Sequence, residues 1–152
     1  MGDNTLLDGG LILIESEVMT TLGRYRQRSS NACEAGGILL GHRRGVHLHI
    51  TEATEPTEHD IRTRTSFVRS QKVHQEVALE KWRVSEGTVD YLGEWHTHPE
   101  LDPQPSSIDR REWKAICKLR GSLAMVFIIA GTTSDTWFGV GRATAIASLH
   151  MS

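Results

Sequence analysis

The chain has little cysteine, no excess of basic residues and no long apolar segment. Its 152 residues include two cysteines, Cys33 and Cys117, which form no C-x-x-C pair. A disulfide framework is therefore not indicated, and we expect two buried thiols in a protein of the reducing cytoplasm. A formal net charge of −2 gives no electrostatic basis for binding nucleic acid. The longest apolar run, residues 123–130, is too short to cross a bilayer.

Signatures of targeting and of several hydrolase classes are also missing. The N-terminus lacks the charged-then-apolar pattern of a signal peptide, so neither export nor membrane attachment is expected. The sequence contains no H-E-x-x-H, no G-x-S-x-G and no P-loop motif, which excludes the usual zincin, serine-hydrolase and nucleotide-binding signatures. With 38% hydrophobic and 24% charged residues, the composition is that of a globular protein. We expect a flexible N-terminus over residues 1–10 and one domain over residues 11–150.

Residues 94–109 carry the most informative pattern. His96 and His98 are two positions apart, so both imidazoles leave the same face of an extended strand. After a proline-rich bend, Ser106 begins a predicted helix with Asp109 in its first turn. Two histidines and one carboxylate make three corners of a tetrahedron and leave the fourth to water, as in catalytic zinc sites. The pattern predicts one Zn²⁺ per chain.

Each of these residues also has an ordinary structural interpretation. A strand histidine is more often hydrogen-bonded than metal-bound, Ser106 could simply be an N-cap, and Asp109 could favour the helix dipole. The metal interpretation is favoured because Asp109 shares a helix face with three residues of buried character: Trp113, Ile116 and Cys117. A carboxylate directed at a core is costly unless it is paired or binds metal.

Hydrophobic periodicity predicts three helices and a mixed sheet. The helices are expected over residues 15–27, 70–84 and 107–119, and the second should direct Val73, Val77 and Trp82 inward. Strands are expected over residues 11–14, 36–42, 46–54, 66–68, 89–97, 123–130, 137–141 and 143–149. Residues 55–65 have no apolar period and are predicted to form a long loop, which suggests a functional segment. The fold class is therefore α/β.

The motif His96-x-His98-Pro99, followed by Ser106-x-x-Asp109, resembles the signature of the JAB/MPN (JAMM) metalloproteases. Upstream, Glu34-Ala-Gly-Gly is similar to the segment that carries the family's catalytic glutamate. The resemblance covers roughly residues 10–145 and implies a single MPN/JAB-type domain with a mixed β-sheet flanked by about three helices. Residues 91–99 are similar to a bacterial branch found with mobile elements and with cyclic-oligonucleotide anti-phage (CBASS) operons.

The resemblance implies roles for the site residues. His96, His98 and Asp109 would bind zinc, and Glu34 would act as general base. The alternative for Glu34 is a solvated glutamate at a strand entrance. Ser106 could cap the helix and also steady the oxyanion of the tetrahedral intermediate. Glu94, where many eukaryotic relatives have an aromatic residue, could orient a ligand imidazole or simply lie in solvent.

The implied reaction is hydrolysis of a peptide or isopeptide bond after the extended, glycine-ended tail of a ubiquitin-like protein. In the CBASS-type branch the expected substrate is a nucleotidyltransferase (CD-NTase) whose C-terminus has been conjugated to a target by an E1/E2-like partner. One alternative is a non-catalytic MPN scaffold, which the retained ligands argue against. Another is a hydrolase of sulfur-carrier or small-molecule substrates. A DNA-associated role is disfavoured by charge.

Overall fold

The structure, a computed structural model, describes residues 9–143 and 145–149. Most of the expected flexible N-terminus, residues 1–8, and residues 144 and 150 of the expected domain lie outside the described residues. Three helices are present in the described part: α1 (Ser16–Arg24), α2 (Gln71–Val84) and α3 (Ser107–Arg120). None of these helices is long and apolar enough to cross a membrane.

Nine strands accompany the helices in the described residues. They are β1 (Ile12–Ile14), β2 (Gly36–Arg44), β3 (His47–Ala53), β4 (Ile61–Arg62), β5 (Phe67–Val68), β6 (Asp90–Thr97), β7 (Met125–Ala130), β8 (Thr136–Arg142) and β9 (Ala145–Leu149). Seven form one sheet in the order β1-β3-β2-β6-β7-β8-β9. The β1–β3 and β6–β7 pairs are parallel and the other neighbours antiparallel, so the predicted mixed α/β architecture is confirmed.

Strand β7 divides the core into two layers. All six of its residues are buried, as expected for a central strand covered on both faces. Side-chain alternation sends Val126 and Ile128 into the cluster that includes α1, whereas Phe127 and Ile129 join the cluster that includes Trp113 of α3. Strand β6, which carries His96 at its end, lies between β2 and β7, where both neighbours fix its register.

Helix α2 has the expected extent but not the expected inner face. Val77 is 36% exposed and Trp82 is 49% exposed, so the prediction that they point inward is wrong, and Val73 is half-buried. His74 is the buried residue of this helix. Its ring hydrogen bonds Asp60 and Thr54, so α2 is attached to the domain through a polar network rather than an apolar stripe.

The segment predicted as a structureless loop, residues 55–65, contains strand β4. Two residues of β4 pair antiparallel with two residues of β5, Ile61 with Val68 and Arg62 with Phe67. A pair this short leaves no periodicity to detect. We refer to residues 61–68 as the β4–β5 hairpin. Of the two thiols that were expected to be buried, Cys117 is buried and Cys33 is only half-buried.

Candidate metal centre and catalytic groove

The end of β6 supplies two nitrogen ligands. The Nε2 atoms of His96 and His98 are 3.0 Å apart, as the period of two along a strand predicts. Their side chains are 12% and 11% exposed. The ring of His96 packs near that of Trp113 in α3, with centroids 5.9 Å apart. The imidazole of His96 is thus held on one side by a core residue, and both imidazoles lie near the start of α3.

Helix α3 supplies the carboxylate. Asp109 Oδ1 lies 3.4 Å from His96 Nε2, and Asp109 Oδ2 lies 3.2 Å from His98 Nε2. A reciprocal capping box orients this carboxylate: the Ser106 N–H donates to Asp109 Oδ2 over 2.8 Å, and the Asp109 N–H donates to Ser106 Oγ over 3.0 Å. Ser106 therefore caps the helix, and the same cap sets the direction in which Asp109 faces the histidines.

The three ligand groups fit a tetrahedral zinc ion. With Zn–N and Zn–O distances of about 2.0–2.2 Å, neighbouring ligand atoms of a tetrahedron are separated by about 3.4 Å. The two histidine Nε2 atoms lie 3.0 Å apart, and they lie 3.4 and 3.2 Å from the two different oxygens of Asp109. Taken with one ligand atom per residue, the three groups lie within 4.8 Å of one another. Two imidazoles and one carboxylate leave a fourth position open, which is the donor set of catalytic rather than structural zinc sites.

The charges of the ligand groups are strongly coupled. Burial opposes ionisation of Asp109, but hydrogen bonds from His96 and His98 outweigh it and hold the pKa of Asp109 far below its usual range. Burial also opposes the charged form of His98, yet hydrogen bonds to Asp109 and Glu100 raise its pKa to about 9. Because a ligand imidazole must be neutral, a metal ion held by His98 would have to displace this proton and would bind less tightly as the pH falls.

Glu34 lies two residues before the start of β2 and lines the same groove as the three ligand groups. It is 6% exposed. Burial raises the pKa of its carboxyl group to about 7, and His98 and His96 only partly oppose this effect. A carboxyl group with a pKa near neutrality can accept and release a proton at working pH, which is the property required of a general base.

The β4–β5 hairpin holds the peptide groups of Glu34. The Glu34 N–H donates to the Thr63 carbonyl over 2.6 Å, and Arg62 Nε donates to the Glu34 carbonyl over 2.8 Å. Phe67 lies over Gly36, where an added Cβ would come within 2.7 Å of its ring. Glycine at position 36 is therefore required for the hairpin to approach the strand that follows Glu34.

Glu94 has neither of the two roles considered from sequence. Its carboxylate forms an ion pair with Arg69, and both side chains are largely buried, at 14% and 18% exposed. The Tyr91 hydroxyl also lies 3.5 Å from Glu94. The carboxylate of Glu94 thus pairs with the guanidinium of Arg69, which follows β5. It neither orients a ligand imidazole nor lies in solvent.

A groove of about 890 Å³ contains these groups. One wall comprises β5 and the residues around it, including Arg69. The other is the exposed face of α3, with Ile108 and Leu119 at 55% and 88% exposure. In the described part of the chain β5 pairs with β4 alone, so its second edge is unpaired, and both of its residues line the groove. An extended peptide could add to this edge and reach the metal ligands.

The structure places all five site residues that the sequence suggested along the same groove: Glu34, His96, His98, Ser106 and Asp109. Sequence reasoning missed Glu100, whose Oε1 is 2.9 Å from His98 Nδ1. This contact fits the carboxylate partner that metal-bound histidines commonly have. The signal was available, because Glu100 follows His98 by two positions. It also missed Arg62 and Arg69, for which the sequence offers no local signal.

Comparisons with known proteins agree with the geometry. A family model described as prokaryotic homologs of the JAB domain matches residues 16–140. A Pseudomonas aeruginosa protein named CD-NTase/cGAS isopeptidase is 42% identical over 122 residues, covering 80% of this chain and 77% of the relative. An Escherichia coli protein of the same name is 41% identical over 128 residues, covering 84% and 80%.

The fold has a solved counterpart. The solution structure of protein DSY2949 from Desulfitobacterium hafniense matches with a TM-score of 0.64 over 91% of this chain and 89% of that chain, at 20% identity. This similarity concerns the fold, whereas the family model and the P. aeruginosa and E. coli relatives extend across the groove and its ligand residues. The chain therefore belongs to the prokaryotic JAB-domain family.

Proposed function

We propose that this protein is a zinc-dependent isopeptidase that releases a conjugated CD-NTase from its targets in the cytoplasm. The observation that carries the proposal is the cluster of His96, His98 and Asp109, whose ligand atoms lie within 4.8 Å of one another in one groove with the buried carboxyl group of Glu34. The names of the P. aeruginosa and E. coli relatives support the CD-NTase conjugate as substrate. An E1/E2-like protein would make the bond that this enzyme breaks.

His96, His98 and Asp109 would hold the metal. Bound zinc supplies a Lewis acid that lowers the pKa of a water from about 16 to roughly 7. Glu34 then takes the proton of the attacking water and delivers it to the leaving amine. Its pKa near 7 suits both directions of transfer, because a general base works best when its pKa lies near the operating pH.

Ser106 and the groove walls act on the substrate. The Ser106 hydroxyl, which lines the groove, would donate to the oxyanion that develops on the scissile carbonyl. The extended tail of the substrate would add to the open edge of β5, so that backbone hydrogen bonds align its last residues with the metal ligands. Ile108 and Leu119 would cover the tail from the opposite wall.

The test combines metal analysis with cleavage. The substrate is a CD-NTase joined through its C-terminal carboxyl group to a lysine side chain of a reporter protein, and mass spectrometry identifies the products. We expect near-stoichiometric zinc and release of the intact CD-NTase C-terminus by the wild-type protein. Asp109→Ala should lose zinc and activity, whereas Glu34→Ala should keep zinc and lose activity.

Glu58→Ala is the control for removal of a glutamate, since the Glu58 side chain is 89% exposed, and it should match the wild type. Zinc loss in Glu34→Ala would show that the base is misassigned. Stoichiometric zinc without cleavage of this conjugate would redirect the search to other tails. Absence of zinc from wild-type protein purified without chelators would favour the scaffold alternative.

A further inference from the structure

Gln27 is a fully satisfied amide inside the protein, outside the groove and unused by the mechanism above. It is 2% exposed. Its Nε2 donates to the carbonyls of Ala32 over 3.1 Å and Arg64 over 2.8 Å, and its Oε1 accepts from the Thr97 hydroxyl over 2.9 Å. A buried amide is costly unless it is hydrogen-bonded. The three partners belong to three chain segments, and each segment leads to the candidate active site.

The first two segments flank Glu34 and connect it to the ligand strand. Ala32 precedes Glu34 by two residues, and Ala35 follows it directly. The Ala35 N–H donates to Thr97 Oγ1 over 3.0 Å, and the Thr97 N–H donates to the Ala35 carbonyl over 2.9 Å. Thr97 itself stands between His96 and His98 in sequence. Gln27 therefore links the backbone on both sides of the proposed base to the strand that carries two metal ligands.

The third segment is the β4–β5 hairpin. Arg64, whose carbonyl accepts from Gln27, lies next to Thr63, whose carbonyl accepts the N–H of Glu34. Arg62 of the same hairpin donates to the Glu34 carbonyl. The amide of Gln27 thus fixes the hairpin that in turn binds both peptide groups of Glu34. All of these links are short hydrogen bonds between parts of the chain that are distant in sequence.

We propose that Gln27 is a positioning residue: through Thr97 and the β4–β5 hairpin it holds Glu34 in register with His96 and His98. This inference deepens the proposed function and rests on it. A base must lie within hydrogen-bonding reach of the proton it accepts, and a displacement of about 1 Å can cost on the order of 100-fold in rate. Gln27 touches neither metal nor substrate, so its effect should appear in the catalytic step and not in metal binding.

Three single variants and one double variant test the effect of Gln27 on the rate of catalysis. Gln27→Leu keeps the volume but removes all three hydrogen bonds, and we expect kcat to fall tenfold or more with KM and zinc content nearly unchanged. Thr97→Val removes the linking hydroxyl and should behave alike, whereas Thr97→Ser keeps the hydroxyl and should retain kcat within about threefold. Because both residues act through one chain of hydrogen bonds, the double variant Gln27→Leu/Thr97→Val should lose much less than the product of the two single losses.

A second readout does not depend on activity. Amide hydrogen exchange of Ala35, measured by NMR in the metal-free protein, reports the link to Thr97 directly. Gln27→Leu should accelerate this exchange tenfold or more. If Gln27→Leu fails to fold, Gln27→Met, which keeps the length of the side chain, stays neutral and loses the two N–H donors, takes its place with the same expectation.

Val140→Ala is the matched control. It removes buried volume from strand β8, two strands away from β6, since Val140 pairs with Val126, which pairs with Gly93, four residues before Thr97. This variant should lower Tm comparably without changing Ala35 exchange or kcat. Equal effects of Val140→Ala and Gln27→Leu at matched Tm would overturn the positioning role. If the wild type cleaves no conjugate, the proposed function fails, while the exchange experiment still decides whether Gln27 holds Ala35.

Discussion

Replacing Glu34 with glutamine should stabilise the metal-free protein above pH 7 and leave its stability almost unchanged near pH 4. Burial raises the pKa of Glu34 from 4.5 to about 7, so the folded state binds this proton more tightly than the unfolded state. As the pH rises from about 4.5 to about 7, the wild-type protein therefore loses stability. Glutamine is neutral throughout and does not carry this penalty.

The size of the effect follows from the two pKa values. A difference of about 2.5 pKa units, at about 1.4 kcal/mol each, corresponds to about 3 kcal/mol in the free energy of unfolding above pH 7. For a protein of this length this corresponds to a Tm difference of about 6–12 °C. In the zinc-bound protein the gain should shrink, because the metal's positive charge favours the carboxylate of Glu34.

The assay is thermal unfolding of chelator-treated protein across pH 4–8, with the wild type and the variant measured side by side so that titrating groups remote from Glu34 cancel. Glu58→Gln, at a glutamate whose side chain is 89% exposed and lies 3.7 Å from His59, should give a much smaller pH-dependent difference. A Tm difference between Glu34→Gln and wild type that is the same at pH 4 and pH 8 would refute the reasoning. It would mean that the carboxyl group of Glu34 is solvated in the folded state.

Three further predictions concern the scaffold around the site. Ser106→Ala removes the α3 cap and the proposed oxyanion donor, so kcat should fall while Tm drops by only about 2–4 °C and zinc content is kept; unchanged kcat would reduce Ser106 to a cap. Gly93→Ala should abolish soluble expression, because the added Cβ would lie 1.7 Å from the Val126 carbonyl oxygen; soluble, folded protein by circular dichroism would contradict this. Arg69→Leu should cost about 3–5 kcal/mol in chemical denaturation by leaving Glu94 buried and unpaired, and Arg69→Leu/Glu94→Gln should recover much of the loss; equal losses in the two variants would show that the ion pair is not responsible.

The parts of the fold that sequence predicted are those encoded by local periodicity. The period of two that aligns His96 with His98 is a property of any strand, and the offset of three between Ser106 and Asp109 is that of a capping box. The continuous apolar run of β7 likewise predicts a strand that is covered on both faces. In each case the residues that define the feature lie within a few positions of one another.

The features that the sequence did not predict depend instead on polar partners that are distant in sequence. The sequence predicts an apolar inner face for helix α2, but the helix is held by the ring of His74, which hydrogen bonds Thr54 and Asp60. Glu94 is paired with Arg69, 25 positions away. A hydrophobic pattern records which residues are apolar, but it contains no information on which polar side chain will find which partner, so these contacts become visible only in three dimensions.

These buried polar contacts differ from Glu34 in a way that bears on mechanism. Gln27, Thr97, Glu94 and Arg69 each have a hydrogen-bonding or ionic partner within the protein, so their burial adds order at little cost. Glu34 is held by its backbone, while its carboxyl group faces the groove and has its pKa raised by desolvation. The surrounding network thus fixes the position of the base without neutralising its carboxylate, as proton transfer to and from a substrate requires.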